Sequence, residues 1–198
     1  MQFSRSLNPT IIALSIALGA VPFFSQSPLQ AQETQTVDRP ASFTQPPRLL
    51  TIESSEKQVA ASRATYFFTL NMPENAGSGL GQITINQRDA DNFLRQIDYR
   101  SEDTRAFTGT ANDRGTDIPI ADTTYNEDDH TLTVRFAEPV APGTSVTIAL
   151  RPRRNPRMQG VYLFGVTAFP ANNTENGQFL GYGRLTFYGN DSSVFPGM

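Results

Sequence analysis

An antiparallel β-sandwich, immunoglobulin-like in general architecture and with one short helix on a connection, is the fold class this sequence predicts. Three observations lead there. Short stretches alternate apolar and polar residues with a period of two, most clearly in Thr131–Ala137, where Leu132, Val134 and Phe136 oppose Thr131, Thr133 and Arg135. Turn signals, among them Asn126–Asp129 and Pro142-Gly143, separate such stretches. About six to eight short strands follow one another in this way, which suits two packed sheets. A small open β-barrel is the alternative.

The first 31 residues read as a cleavable secretory signal. Arg5 is their one charge, and Thr10–Val21 is a twelve-residue apolar run. A hydrocarbon core needs ~20 residues. Pro22 ends the run, and Ala31 supplies the small residue expected before the cut. Residues 32–47 are polar and proline-bearing and are expected to form a disordered linker. One β-sandwich domain is expected over 48–189, followed by a loose tail over 190–198.

Within the domain, Leu49–Ile52 reads as a short strand. Ala64–Leu70 places Tyr66, Phe68 and Leu70 on one face, and Gln82–Asn86 is a further strand. Residues 89–97 are the helix candidate, with Asp89 as its cap and Phe93, Leu94 and Ile97 on one face. The turn at Asn126–Asp129 joins Thr123–Tyr125 to Thr131–Ala137. Thr144–Leu150 repeats the alternation with Val146, Ile148 and Leu150, and is expected to pair with Thr131–Ala137 across Glu138–Gly143. Gly160–Phe169 is apolar on both faces, as in an interior strand. In Gln178–Tyr188, Phe179, Gly181, Gly183, Leu185 and Phe187 alternate with Leu180, Tyr182, Arg184, Thr186 and Tyr188. Glycines there allow a bulge, a bend or a close neighbour.

Composition narrows the chemistry. The absence of cysteine excludes thiol catalysis, cysteine-bound zinc and iron–sulfur clusters, and leaves stability to the core. Without residues 1–31 the chain keeps 15 basic and 19 acidic residues, a net charge of −4. That argues against nucleic acid as a partner. No later segment reaches transmembrane length. His130 is the one histidine and is expected in an exposed turn. No Gly-x-Ser-x-Gly elbow accompanies it. No catalytic residue and no cofactor is assigned.

Four arginines in seven residues, Arg151, Arg153, Arg154 and Arg157, are the most concentrated charge feature. Pro152 and Pro156 stiffen the stretch. Guanidinium forks suit carboxylate, phosphate and sulfate. These arginines are therefore the candidate binding residues, for an anionic envelope glycan, a lipid or an acidic protein. The competing account is pairing with the domain's own acids, or plain solvation. Glu127, Asp128 and Asp129 are weak metal candidates, lacking the glycine of a calcium loop. Tyr162, Tyr182, Tyr188 and Phe169 offer an aromatic face, although such residues more often pack across strands. The resulting expectation is an exported, non-catalytic binding or structural module of the periplasm or cell envelope. A carboxylate-dependent hydrolase and a calcium- or copper-binding protein are the alternatives.

The last third carries three connected stretches: Ala141-Pro-Gly-Thr-Ser-Val-Thr-Ile-Ala-Leu-Arg-Pro-Arg-Arg-Asn-Pro-Arg157, Gly160-Val-Tyr-Leu-Phe-Gly-Val-Thr-Ala-Phe-Pro170 and Gly177-Gln-Phe-Leu-Gly-Tyr-Gly-Arg-Leu-Thr-Phe-Tyr188. In these it resembles a family of exported cyanobacterial proteins called domain of unknown function 2808. The resemblance spans residues 48–188. It implies export and a single such domain, and supplies no catalytic residues.

Overall fold

β-branched and aromatic residues, spaced two apart and broken by glycine and proline, form ten strands in a computed structural model that describes residues 42–88, 90–171 and 173–189. The chain divides into two units, Met1–Thr36 and Val37–Met198, and every described residue lies in the second. The expected signal, linker residues 32–41, the Asp89 cap and tail residues 190–198 lie outside the described residues.

The strands are β1 (Arg48–Ser54), β2 (Tyr66–Asn71), β3 (Leu80–Gln87), β4 (Arg105–Gly109), β5 (Arg114–Ile118), β6 (Ile120–Asn126), β7 (Thr131–Val140), β8 (Ser145–Leu150), β9 (Gly160–Pro170) and β10 (Gln178–Phe187). They build two five-stranded antiparallel sheets, ordered β1-β2-β8-β4-β5 and β10-β9-β3-β7-β6. The fold is the all-β sandwich that the alternation predicts.

The inner faces supply the core. Tyr66, Phe68 and Leu70 of β2 and Val146, Ile148 and Leu150 of β8 face Ile83, Ile85, Val134, Phe164, Val166 and Phe187 of the other sheet. Aromatic rings bridge the layers: Phe68 and Phe164 meet edge to face at 5.7 Å, and Tyr66 stands 5.7 Å from Phe187 and 6.3 Å from Phe164. Each such side chain contributes about 1.5–3 kcal/mol by leaving water.

Several local expectations are corrected. Residues 90–97 form a turn, not a helix. The Asn92 side chain accepts the Leu94 N–H at 2.9 Å, and its backbone carbonyl accepts the Arg95 N–H at 2.7 Å. Gln87 takes over further backbone groups, donating to the Arg95 carbonyl and accepting the Ile97 N–H. A short helix does not survive such local competition. The one helical piece among the described residues is a 3-10 turn at Ser101–Asp103, on the same connection.

β7 and β8 do not pair with each other: β7 lies between β3 and β6, and β8 between β2 and β4. The Pro142-Gly143 turn carries the chain from one sheet to the other, so the two alternating patterns meet across the core. β4 and β5 add two strands to those expected. At five residues each, with Gly109 and Gly115 within them, they carry too little apolar alternation to show. The fold also begins before Arg48, since Phe43 packs against the core and the Thr44 N–H reaches the Ala76 carbonyl at 2.8 Å.

In β10 a bulge between Phe179 and Gly181 shifts the register. Gly181 supplies the left-handed backbone at φ +123°. Phe179 and Tyr182, on opposite faces by simple alternation, thereby meet on the outer face with ring centroids 5.0 Å apart. Further along, β10 runs against β1, and a Cβ on Gly183 would overlap the Ile52 side chain. Gly183→Ala should therefore lower stability by about 1–3 kcal/mol in urea unfolding. Ile52→Ala in the same chain should make the two losses less than additive.

Candidate functional site

Proline at both ends and a buried asparagine in the middle shape the arginine-rich stretch into a pinned loop between β8 and β9. Pro152 bridges Tyr99. The Arg151 carbonyl accepts the Arg100 N–H, and the Arg153 N–H donates to the Asp98 carbonyl, both at 2.8 Å. The Asn155 N–H reaches the Ala61 carbonyl at 2.7 Å. The Pro156 carbonyl accepts from Ala60, and the Arg157 N–H donates to the Leu94 carbonyl, both at 3.0 Å.

Asn155 holds the loop to the domain. Only 2% exposed, its Oδ1 accepts the Tyr66 hydroxyl at 2.7 Å, and its Nδ2 donates to the carbonyls of Glu56 and Gln58 at 3.0 and 2.8 Å. Tyr66 itself is a core residue of β2. The loop backbone is therefore tied through one side-chain contact to the packed interior.

The four arginine side chains of this stretch are all exposed, and none forms an ion pair among the described residues. They divide between two places. Arg153, Arg154 and Arg157 line a groove of about 300 Å³ together with Phe93, Gln96 and Asp98. Phe93 is 70% exposed, so an unburied aromatic ring stands beside three guanidinium groups. Arg151 lies instead over the outer face of the first sheet, in a pocket with Arg105 and Arg114. Sequence reading missed the partners on both sides, because residues 93–98, 105 and 114 reach these sites only through folding. Phe93, expected on one apolar helical face with Leu94 and Ile97, carried no signal for exposure; once the helix is absent, Ile97 enters the core and Phe93 stays outside.

Other candidates fall as follows. Glu127, Asp128 and Asp129 are exposed in the β6–β7 turn, where Asp129 Oδ1 accepts the Thr131 N–H at 3.1 Å. No group of three potential metal ligands occurs among the described residues. His130 lies in that turn at φ +53°, but is partly buried and not exposed as expected, with Nδ1 3.3 Å from the Tyr125 hydroxyl. Glu102 and Asp122 share a shallow, open hollow with Ile120 and Thr123. Of the aromatic candidates, Tyr162 is a core residue under the Arg95 guanidinium, whereas Tyr182 and Tyr188 are exposed.

Beneath the loop, three tyrosines carry altered acidities. Burial first holds the Tyr66 and Tyr99 hydroxyls neutral well above the usual phenol range, reinforced by Tyr99 and Tyr162 at Tyr66 and by Tyr125 and the Asp98 carboxylate at Tyr99. Tyr125 is pushed up to about 12 by burial and then by the carboxylates of Asp98, Glu127 and Asp129. The Tyr99 hydroxyl is buried and has no hydrogen-bond partner among the described residues.

Fold and site together define a two-sheet domain that presents arginines on a rigidly held loop. The chain matches over residues 41–187 the family described as protein of unknown function (DUF2808), and it belongs to that family. No curated protein matches it. Solved structures with a similar layout include the C-terminal domain of the Streptococcus pyogenes antigen I/II-family protein AspA, at 12% identity and a TM-score of 0.40 over 69% of this chain. This chain covers 46% of that one, somewhat under half its length. The collagen-binding subdomain of the Enterococcus faecalis surface protein ACE has 9% identity and a TM-score of 0.39, with 69% of this chain and 97% of that one covered. The collagen-binding domain of a Staphylococcus aureus adhesin has 13% identity and a TM-score of 0.34, with 69% and 99% covered.

Two predictions follow from the loop's support. Asn155→Ala strands the Tyr66 hydroxyl and two carbonyls, and should cost about 2–4 kcal/mol in chemical denaturation. Stability should also fall in alkali. Tyr66 and Tyr99 ionise near pH 10 in the unfolded chain but not in the folded one, so the stabilisation is complete below that pH and declines above it, by about 1.4 kcal/mol per pH unit for each of these two. Tyr99→Phe should make the decline shallower in urea midpoints recorded on either side of pH 10. At neutral pH it should match or exceed the parent by about 1 kcal/mol, because it removes an unsatisfied buried hydroxyl.

Proposed function

We propose that this chain is an exported, non-catalytic binding module that holds an anionic component of the cell envelope on Arg153, Arg154 and Arg157. The observation that carries the reading is the pairing of a fixed backbone with unneutralised charge. Three exposed guanidinium groups, without a carboxylate partner among the described residues, project from a loop held by buried Asn155. A pre-ordered loop loses little further entropy on binding, so more of each guanidinium contact is retained as affinity. The short apolar run of residues 10–21 ending at Pro22 supports export. Among the described residues, no helix is long and apolar enough to cross a membrane.

The hydrolase and metal readings have less support. Glu102 and Asp122 lie in an open hollow rather than an enclosed cleft. The acids of residues 127–129 spend part of their capacity on their own turn.

The test replaces Arg153, Arg154 and Arg157 together with serine and measures retention on isolated envelope fractions. At low salt the variant should be retained at least about tenfold less than the parent, and parental retention should itself decline as salt is raised. Equal retention of both proteins at low salt would remove this loop from the mechanism.

A further inference from the structure

Arg151 belongs to a second surface, separate from the loop groove. On the outer face of the first sheet it shares a pocket of about 410 Å³ with Arg105 and Arg114. The pocket's floor is apolar. Register places Phe67, Ala149 and Arg105 side by side on β2, β8 and β4. Phe107, two residues beyond Arg105, extends the floor and is 2% exposed. The Arg114 guanidinium stands over the Phe107 ring at 4.7 Å from its centroid. Ala111, in the turn of the β4–β5 hairpin, lines the pocket as well.

This hairpin is why the floor exists. Outer faces of sandwich sheets are ordinarily polar and wet. Here Gly109 bends the hairpin so that its carbonyl accepts the Thr147 hydroxyl at 2.7 Å, and Thr147 in turn lies 2.9 Å from the Thr69 hydroxyl. Both threonines are fully buried. A second, small apolar layer forms beside them, and the pocket is its open end.

The rim is cationic but not strongly so. Arg105 Nη1 donates to the carbonyls of Glu102 and Thr104, which fixes its guanidinium group. Arg114 is paired with Asp117, and Asp103 also lines the pocket. Three guanidinium groups against two carboxylates leave one net positive charge. Arg151 forms no ion pair among the described residues.

An apolar floor of this size suits a small molecule, and a single surplus charge suits a monoanion better than a phosphate or a polyanion. The geometry points to a binding site for a carboxylate carried on a compact apolar body, either an aromatic ring or a short acyl chain. The apolar body lies against Phe67 and the small Ala149, beside the Phe107 ring that Arg114 covers, and the carboxylate takes the guanidinium fork of Arg151. This site is independent of the anionic partner held by Arg153, Arg154 and Arg157.

Calorimetry on the full chain tests it, with naphthoate and octanoate as the two probes and naphthalenemethanol as the uncharged counterpart. At least one acid should saturate a single site with a Kd between about 10 µM and 1 mM, and the alcohol should bind at least about tenfold more weakly. Whichever acid binds identifies the ring or the chain as the favoured body. Arg151→Ser should weaken binding about tenfold, and Ala149→Leu should abolish it by filling the floor. Arg154→Ser, in the other groove, should leave it unchanged. Near-ultraviolet dichroism identical to the parent keeps a loss of binding distinct from a loss of fold. No saturable heat with either acid, or binding unaffected by both Arg151→Ser and Ala149→Leu, overturns the site.

Discussion

Two sheets share one apolar interior, and each strand can contribute to it only the residues on one of its faces. Tyr66, Phe68 and Phe164 occupy the middle of that interior and join the layers, Phe68 meeting Phe164 edge-on and Tyr66 meeting it at a tilt. With no cysteine to staple the chain, this packing carries the stability that small secreted domains draw from disulfides. It also determines where the connections go. β7 and β8 both need the interior, so the turn between them crosses the core's edge and joins opposite sheets.

The arginine loop inherits its order from the same packing. Tyr66 belongs to the core by its ring and to the loop by its hydroxyl, which binds Asn155. The backbone of residues 151–157 is held at five points by neighbouring segments, while the guanidinium heads remain in water. This separates two requirements that conflict in most charged loops. The apolar and amide groups supply rigidity, and the arginines stay available for a partner. It also explains why Arg151 parts from its neighbours. It leaves β8 at the edge of the outer face, whereas Arg153 and Arg157 are drawn toward the 93–98 segment by backbone bonds to Asp98 and Leu94.

Strands with long, regular alternation were readable from the amino acids. β2, β7 and β8 each present three or more large side chains to the interior at period two, β9 is apolar on both faces, and their existence followed from those patterns alone. β4 and β5 were not readable. Each is short and glycine-bearing, and the outer-face layer they form depends on Gly109 meeting Thr147, far away in sequence. The absent helix at 90–97 has the same origin. Its apolar spacing was suitable, but Asn92 and Gln87 offered the backbone other partners, and Gln87 is on a different element. The register slip that brings Phe179 beside Tyr182 lay in a single glycine, whose consequence depends on the neighbouring strand.

The amino-acid order by itself determined the layered all-β class, the family and the clustering of arginines, because periodicity, motif and composition are local properties. Tertiary structure alone decided which strands are neighbours, that the loop is anchored through Asn155, and that its arginines serve two surfaces. Those outcomes depend on contacts between residues roughly a hundred positions apart, such as Tyr66 with Asn155, separated by 89. Only the closing of the shared core brings such residues together.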